Sequence, residues 1–225
     1  MSSFLYKKIW HGISIHTRKC IPLYRGQIMS ERNTKIKYDK VDQQYGLMFG
    51  KSKLVFIKTG AAGSIYGYKN KYLELASKIQ NERGYAVVVS ANPVGSPLNL
   101  QEELEKASTY LIDVKEIILI GISRGGLLVL QQGYLNTKVS RILAINPPLA
   151  INWHKTKKGI INFSGAKVQV VFGQYDPSVD YSDLIERLEV LETDCSSQII
   201  SKADHNFKGK LDTFKKLVMQ FVLED

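Results

Sequence analysis

From Lys53 onward the sequence alternates short apolar runs with longer segments of helical period, and this alternation limits the possible folds more than any other feature. "KLVFIK", "YAVVVSANP", "EIILIG", "SRILAINPP", "KVQVVFG" and "SSQIIS" are rich in β-branched residues, and most are closed by Gly, Asn or Pro, so they read as strands. Between the first two, Tyr68, Tyr72, Leu75, Ala76 and Ile79 recur at helical spacing and Gly84 supplies the stop. "LNLQEELEKASTYLIDV" opens with Asn99 as N-cap and Glu102 three residues on, the pattern of a capping box. "RGGLLVLQQGYLN", "SDLIERLEVLE" and "LDTFKKLVMQFVLE" read as three further helices. Strands that are apolar throughout, rather than at every second residue, are covered on both faces. The expected class is therefore α/β, a doubly wound and mostly parallel sheet flanked by helices.

Ahead of Lys53 the pattern is weaker. Thr34–Gly50 has short alternating pieces around a polar middle, which predicts a hairpin or a pair of edge strands. Charge is uneven as well. Residues 1–53 hold eleven Lys/Arg against three Asp/Glu, whereas the remainder holds twenty against eighteen, within a net charge of +10. The expected organisation is a basic extension over residues 1–33 and a single domain over 34–225. Such an arm suits weak contact with an acidic surface of lipid, nucleic acid or protein, although no specific nucleic-acid motif is present. Cys20 and Cys195 form neither a disulfide framework nor a metal-ligand spacing, and fit a reducing compartment. No run reaches the ~18 apolar residues of a membrane span. Charges and histidines interrupt the first twenty residues, which lack a secretory apolar core and cleavage site. These features lead to the expectation of a cytoplasmic protein needing no metal or organic cofactor.

The stretch with the most chemical content is Gly121-Ile122-Ser123-Arg124-Gly125-Gly126, set between the strand "EIILI" and the helix "LLVLQQGYL". The Gly-x-Ser-x-Gly pattern alone is weak, arising by chance in roughly one chain of this length in ten. A strand–turn–helix around it is more specific. The sharp reversal strains the serine backbone and lifts Ser123 Oγ above the sheet's carboxyl edge, beside the Arg124 N–H at a helix N-terminus. Gly121 and Gly125 let the neighbouring segments approach without Cβ clashes.

A serine attacks a carbonyl only with a base in reach, and the base needs an orienting carboxylate. His11 and His16 precede the sheet. His154 lies in "INWHKTKKG", read as a loop near the elbow's edge. His205, in "KADHNF" between the last strand and last helix, belongs on that same edge and is the candidate base. Asp176, in "VVFGQYDPSVD", follows a strand directly and is the candidate acid. The rival position after "RILAI" offers Asn146-Pro147-Pro148 and no carboxylate. Asp204 adjoins His205 too closely to fold back on its ring, and Asp180 reads as a helix N-terminal charge.

The elbow, with serine, acid and histidine in that order, resembles the α/β-hydrolase superfamily over Lys53 to Asp225. The resemblance implies a serine hydrolase of carboxylesterase or thioesterase type, cleaving a small-molecule ester, thioester or amide through an acyl-enzyme. Ser123, His205 and Asp176 would form its triad. It further implies an oxyanion hole from the backbone N–H groups of Arg124 and Ala61, the latter in Thr59-Gly60-Ala61-Ala62-Gly63-Ser64. Gly60 matches the family's His-Gly-x-x-x pattern, while Thr59 stands where many members carry histidine. The segment between "RILAI" and "KVQVV" holds no long apolar helix pair, so no large lid is expected. Gly60, Tyr66, Trp153, His154 and Tyr175 are the candidate substrate contacts. The alternative is a non-catalytic binding or scaffold protein on the same fold, docking to a membrane or nucleic acid through its basic N-terminus.

Overall fold

The computed structural model describes residues 31–38, 41–95, 99–109, 111, 113–177, 181–191 and 193–224. Residues 1–30 of the expected extension, with His11, His16 and Cys20, lie outside these, as does Asp180.

The strands are β1 (Glu31–Tyr38), β2 (Val41–Met48), β3 (Lys53–Lys58), β4 (Ala86–Ser90), β5 (Glu116–Ile122), β6 (Val139–Ile145), β7 (Lys167–Gly173) and β8 (Cys195–Ile200). The helices are α1 (Lys71–Arg83), α2 (Leu100–Ser108), α3 (Arg124–Gln132), α4 (Trp153–Ile161), α5 (Tyr181–Glu189) and α6 (Leu211–Leu223). One sheet runs in the order β1-β2-β4-β3-β5-β6-β7-β8. β1 and β2 form the antiparallel hairpin anticipated at the N-terminal side, and β2 joins β4 antiparallel. From β4 through β8 every pairing is parallel.

Alternate residues of the central strands point into two separate cores. Leu54, Phe56, Ile117 and Leu119 pack with α2, α3 and α5 on one face. Val55, Ile57, Ile118 and Ile120 pack with α1 and α6 on the other. Burial on both sides explains why the strands read as unbroken apolar runs. The chain winds from β3 to β4 in one direction and then crosses back to β5, so β3 and β5 flank the point where strand order reverses. In sheets of this kind the carboxyl end of that crevice receives ligands.

One element departs from the sequence reading: "INWHKTKKG" forms the start of α4 instead of a loop. α4 packs on α3 through a contact that excludes a side chain, since a Cβ at Gly159 would collide with the Leu130 carbonyl. Thr156 Oγ1 also accepts a bond from Gln131 Nε2 at 3.2 Å. Its buried residues are Thr156, Gly159 and Ile160, a set without an apolar stripe, and so its helical period is faint in the sequence.

An ion pair lies inside the sheet's carboxyl edge. Lys58, the last residue of β3, is fully buried, and its Nζ donates to Glu103 Oε1 and Oε2 on α2 at 2.7 and 2.9 Å. It also donates to Ala91 O at 2.8 Å and Ser90 Oγ at 3.1 Å, and Ser90 Oγ donates to Glu103 Oε2 at 2.5 Å. Burial lowers the Lys58 pKa, and the Glu103 carboxylate opposes that shift. Removing one member of such a pair strands the other charge. Glu103→Ala is expected to cost about 3–5 kcal/mol in urea unfolding. A loss below about 1 kcal/mol, the range of exposed pairs, would mean that the pair does not constrain the fold.

Candidate active site

Strand β5 delivers Ser123 at the head of α3. Its φ of 53° and ψ of −122° lie outside the usual regions for a side-chain-bearing residue, a strain of about 1–3 kcal/mol that surrounding structure must hold. Two close approaches hold it. A Cβ at Gly121 would collide with the Gly125 carbonyl, and a Cβ at Gly125 would collide with the carbonyls of Lys58 and Thr59. The Ser123 N–H donates to Ile145 O at the end of β6 at 2.8 Å, and Ser123 O accepts from Leu127 N at 3.0 Å. Ser123 itself is half-buried.

The loop after β3 lies over this turn. A Cβ placed on Gly60 would be 3.1 Å from Ser123 Cβ and 3.6 Å from Ser123 Oγ, so the loop backbone runs alongside the hydroxyl. Thr59, where the family pattern commonly has histidine, is buried and anchors the loop, donating from Oγ1 to Gly63 O at 3.2 Å. Gly63 N donates to Gly60 O at 2.9 Å, and Asn92 clamps both ends. Asn92 N donates to Gly63 O at 2.9 Å and Asn92 Nδ2 to Thr59 O at 3.3 Å. Ala61 is exposed. Arg124 is the first residue of α3, and a first-turn N–H has no partner within its own helix.

Asp176 and His205 are in direct contact. His205 Nδ1 is 2.6 Å from Asp176 Oδ2, with the carboxylate side chain fully buried and the imidazole about one-third exposed. An ionised carboxylate can only accept, so in this pairing Nδ1 is the donor. Their loops are zipped together. Gln174 N donates to Ile200 O at 3.0 Å and Tyr175 N to Ala203 O at 2.8 Å. Asp204 turns away from the ring, its Oδ1 accepting from Asn206 N at 3.0 Å and Lys208 N at 2.8 Å.

Of the sequence-derived site residues, direct contacts thus join Ser123 to Gly60 and Asp176 to His205. The candidate substrate contacts are more dispersed. Tyr66 and Tyr175 are exposed in the loops after β3 and β7, and His154 is exposed on α4. Trp153 is half-buried and packs against the core that contains α3.

No protein-family model matches the sequence, and no curated protein matches it. Solved structures match at the level of the fold. Est1E from Butyrivibrio proteoclasticus is 16% identical, covering 85% of this chain and 97% of that one, with a TM-score of 0.70. A dienelactone hydrolase from Anabaena variabilis is 17% identical, covering 86% and 96%, with a TM-score of 0.62. The thioesterase domain from the curacin biosynthetic pathway is 11% identical, covering 84% and 99%, with a TM-score of 0.64. With the strand order above, these likenesses define the chain as an α/β-hydrolase-fold protein. Its described residues carry no large lid domain. None of its described helices is long and apolar enough to cross a membrane.

The sequence reading passed over several polar residues that shape this edge: Asn92, Lys58 with Glu103, Lys71 and Asn146. In the sequence these stood as a Lys at a helix start and as Asn residues before Pro93 and Pro147. Lys71 is almost completely buried at the start of α1. Its Nζ donates to Asn206 O at 3.0 Å, next to His205, and lies 4.8 Å from the Phe214 ring centroid and 5.1 Å from that of Tyr72. Burial lowers its pKa from 10.5 to about 8, against the pull of Asp204. Because the folded value is the lower one, the unfolded chain binds the extra proton between about pH 8 and pH 10.5. Over that window Lys71 makes stability rise with pH. Unfolding free energies of the wild type and Lys71→Met, measured across the window, should differ in slope, with the variant losing the rise. Parallel curves would contradict this account.

Proposed function

We propose that the protein is a serine hydrolase acting on an ester, thioester or amide, with Ser123 as nucleophile, His205 as general base and Asp176 as the carboxylate that orients it. The observation that carries this reading is the 2.6 Å contact between Asp176 and His205, held on the same sheet edge as a serine with left-handed φ. A buried carboxylate on Nδ1 selects the tautomer whose Nε2 accepts a proton and stabilises the imidazolium that follows. In the acylation step, Ser123 Oγ bonds to the carbonyl carbon as its proton passes to His205 Nε2. The tetrahedral intermediate then collapses, and His205 returns the proton to the leaving group. Water repeats the sequence to release the acid and restore Ser123. The N–H groups of Ala61 and Arg124 are the donors proposed for the oxyanion, each worth about 2.7–4 kcal/mol in the transition state.

The short connection between β6 and β7 supports a substrate class. Between β6 and β7 the chain builds only α4. That favours small or soluble acyl substrates, with Tyr66, Trp153, His154 and Tyr175 as candidate walls. Esterase and thioesterase chemistry fit equally well, and the fold neighbours include a thioesterase domain.

Two measurements test the reading. Ser123→Ala should lower kcat on an activated ester by orders of magnitude, on the order of 10⁶ in a comparable triad, with unchanged folding. The wild type should form a fluorophosphonate adduct at Ser123. Full activity of the variant would refute the assignment. Wild-type protein that neither hydrolyses nor labels, beside a control hydrolase that does, would favour the non-catalytic scaffold.

A further inference from the structure

The geometry points to Asn146 as the positioning residue that fixes the His205 loop relative to both the acid turn and the serine. This rests on the hydrolase reading and adds to it a residue that bears no catalytic group. Asn146 follows the last residue of β6 and is fully buried. Its φ is 50°, a left-handed conformation that asparagine adopts more readily than most residues with a side chain.

From that conformation each polar atom of its side chain serves a different loop. Nδ2 donates to the His205 carbonyl at 3.2 Å. Oδ1 accepts from Gly173 N at 2.7 Å, at the end of β7 and three residues before Asp176. Its own N–H donates to Val171 O at 2.7 Å, which fixes the residue to β7. One residue earlier, Ile145 O accepts from Ser123 N at 2.8 Å. The end of β6 is therefore bonded to the backbone of the serine, to the strand that leads into the acid, and to the backbone of the histidine. An ionised carboxylate could not replace it, because the site needs a donor as well as an acceptor on a short side chain in the left-handed region.

The Asp176–His205 contact sets the tautomer and the tilt of the ring. The bond from Asn146 to His205 O sets where that ring stands relative to Ser123. Losing it lets the base move without unfolding the sheet, and misplacement on the scale of 1 Å costs about 10²-fold in rate. The loss should fall on kcat, since Asn146 is buried and touches no substrate.

Asn146→Gly keeps the left-handed backbone and removes both side-chain bonds. Asn146→Asp keeps an acceptor for Gly173 N and cannot, when ionised, donate to His205 O. Both variants are compared with wild type on an activated ester and by the second-order rate of fluorophosphonate labelling, with thermal unfolding and the labelling end point reporting the folded fraction. The expected result is a fall in kcat of about 10–10²-fold in each variant, with KM near wild type and labelling slowed in parallel. Wild-type kcat in a folded Asn146→Gly overturns the inference and leaves the hydrolase reading standing, as does a kcat that falls only with the folded fraction. A slow Asn146→Gly beside an Asn146→Asp that stays fully active at pH values above the titration of its new carboxyl overturns the role of the His205 bond. Should Asn146→Gly not fold, Asn146→Asp decides on the same criteria. Wild-type protein without hydrolysis or labelling overturns both readings together.

Discussion

The end of β3 and the beginning of α3 touch backbone to backbone, and the geometry of the whole candidate site follows from that contact. Gly125 has room for a hydrogen and nothing larger against the Lys58 and Thr59 carbonyls. With α3 pressed this close, the chain has no space for a relaxed turn between β5 and the helix, and the reversal falls on Ser123 in its strained conformation. The same contact brings the loop after β3 over the serine, so the candidate nucleophile and oxyanion donors are placed by one packing event rather than by two. A Cβ at position 125 would separate them.

Around that contact the carboxyl edge has a shared physical problem. Loops leave the sheet there, and their carbonyls turn inward, away from water. An unpaired buried carbonyl is costly, so something must donate to each. Among the described residues, four buried side chains reach across from another segment to do so: Lys58 to Ala91, Lys71 to Asn206, Asn92 to Thr59 and Asn146 to His205. Each ties a loop to a neighbouring strand or helix. Two of the four are ammonium groups, which explains the compensating Glu103 carboxylate and the aromatic rings of Tyr72 and Phe214 nearby.

The helices with a continuous apolar stripe, the doubly covered strands and the N-cap at Asn99 follow from local rules and are readable in the sequence, as Asn99 Oδ1 accepting from Glu102 N at 3.2 Å illustrates. Helix α4 is not readable in that way, because its stability comes from a backbone approach at Gly159 and a Thr156–Gln131 bond. Asn146 is the sharper case. In the sequence it marks only the lack of a carboxylate after β6, since a residue type shows what groups are present and not which carbonyl they will face. Thr59 is similar: as a letter it departs from a pattern, and in the fold it closes the loop through Gly63.

The sequence by itself determined the alternation of strands and helices, the doubly buried sheet, and the order in which a serine, an aspartate and a histidine arrive at strand ends. Those depend on period, composition and chain order, which are properties of the string. Tertiary structure alone decided that Asp176 meets His205 at 2.6 Å, that Gly60 lies over Ser123, and that an asparagine bridges loops on different strands. Such contacts join residues tens of positions apart, and their distances are set by how closely backbones pack, which no local pattern encodes.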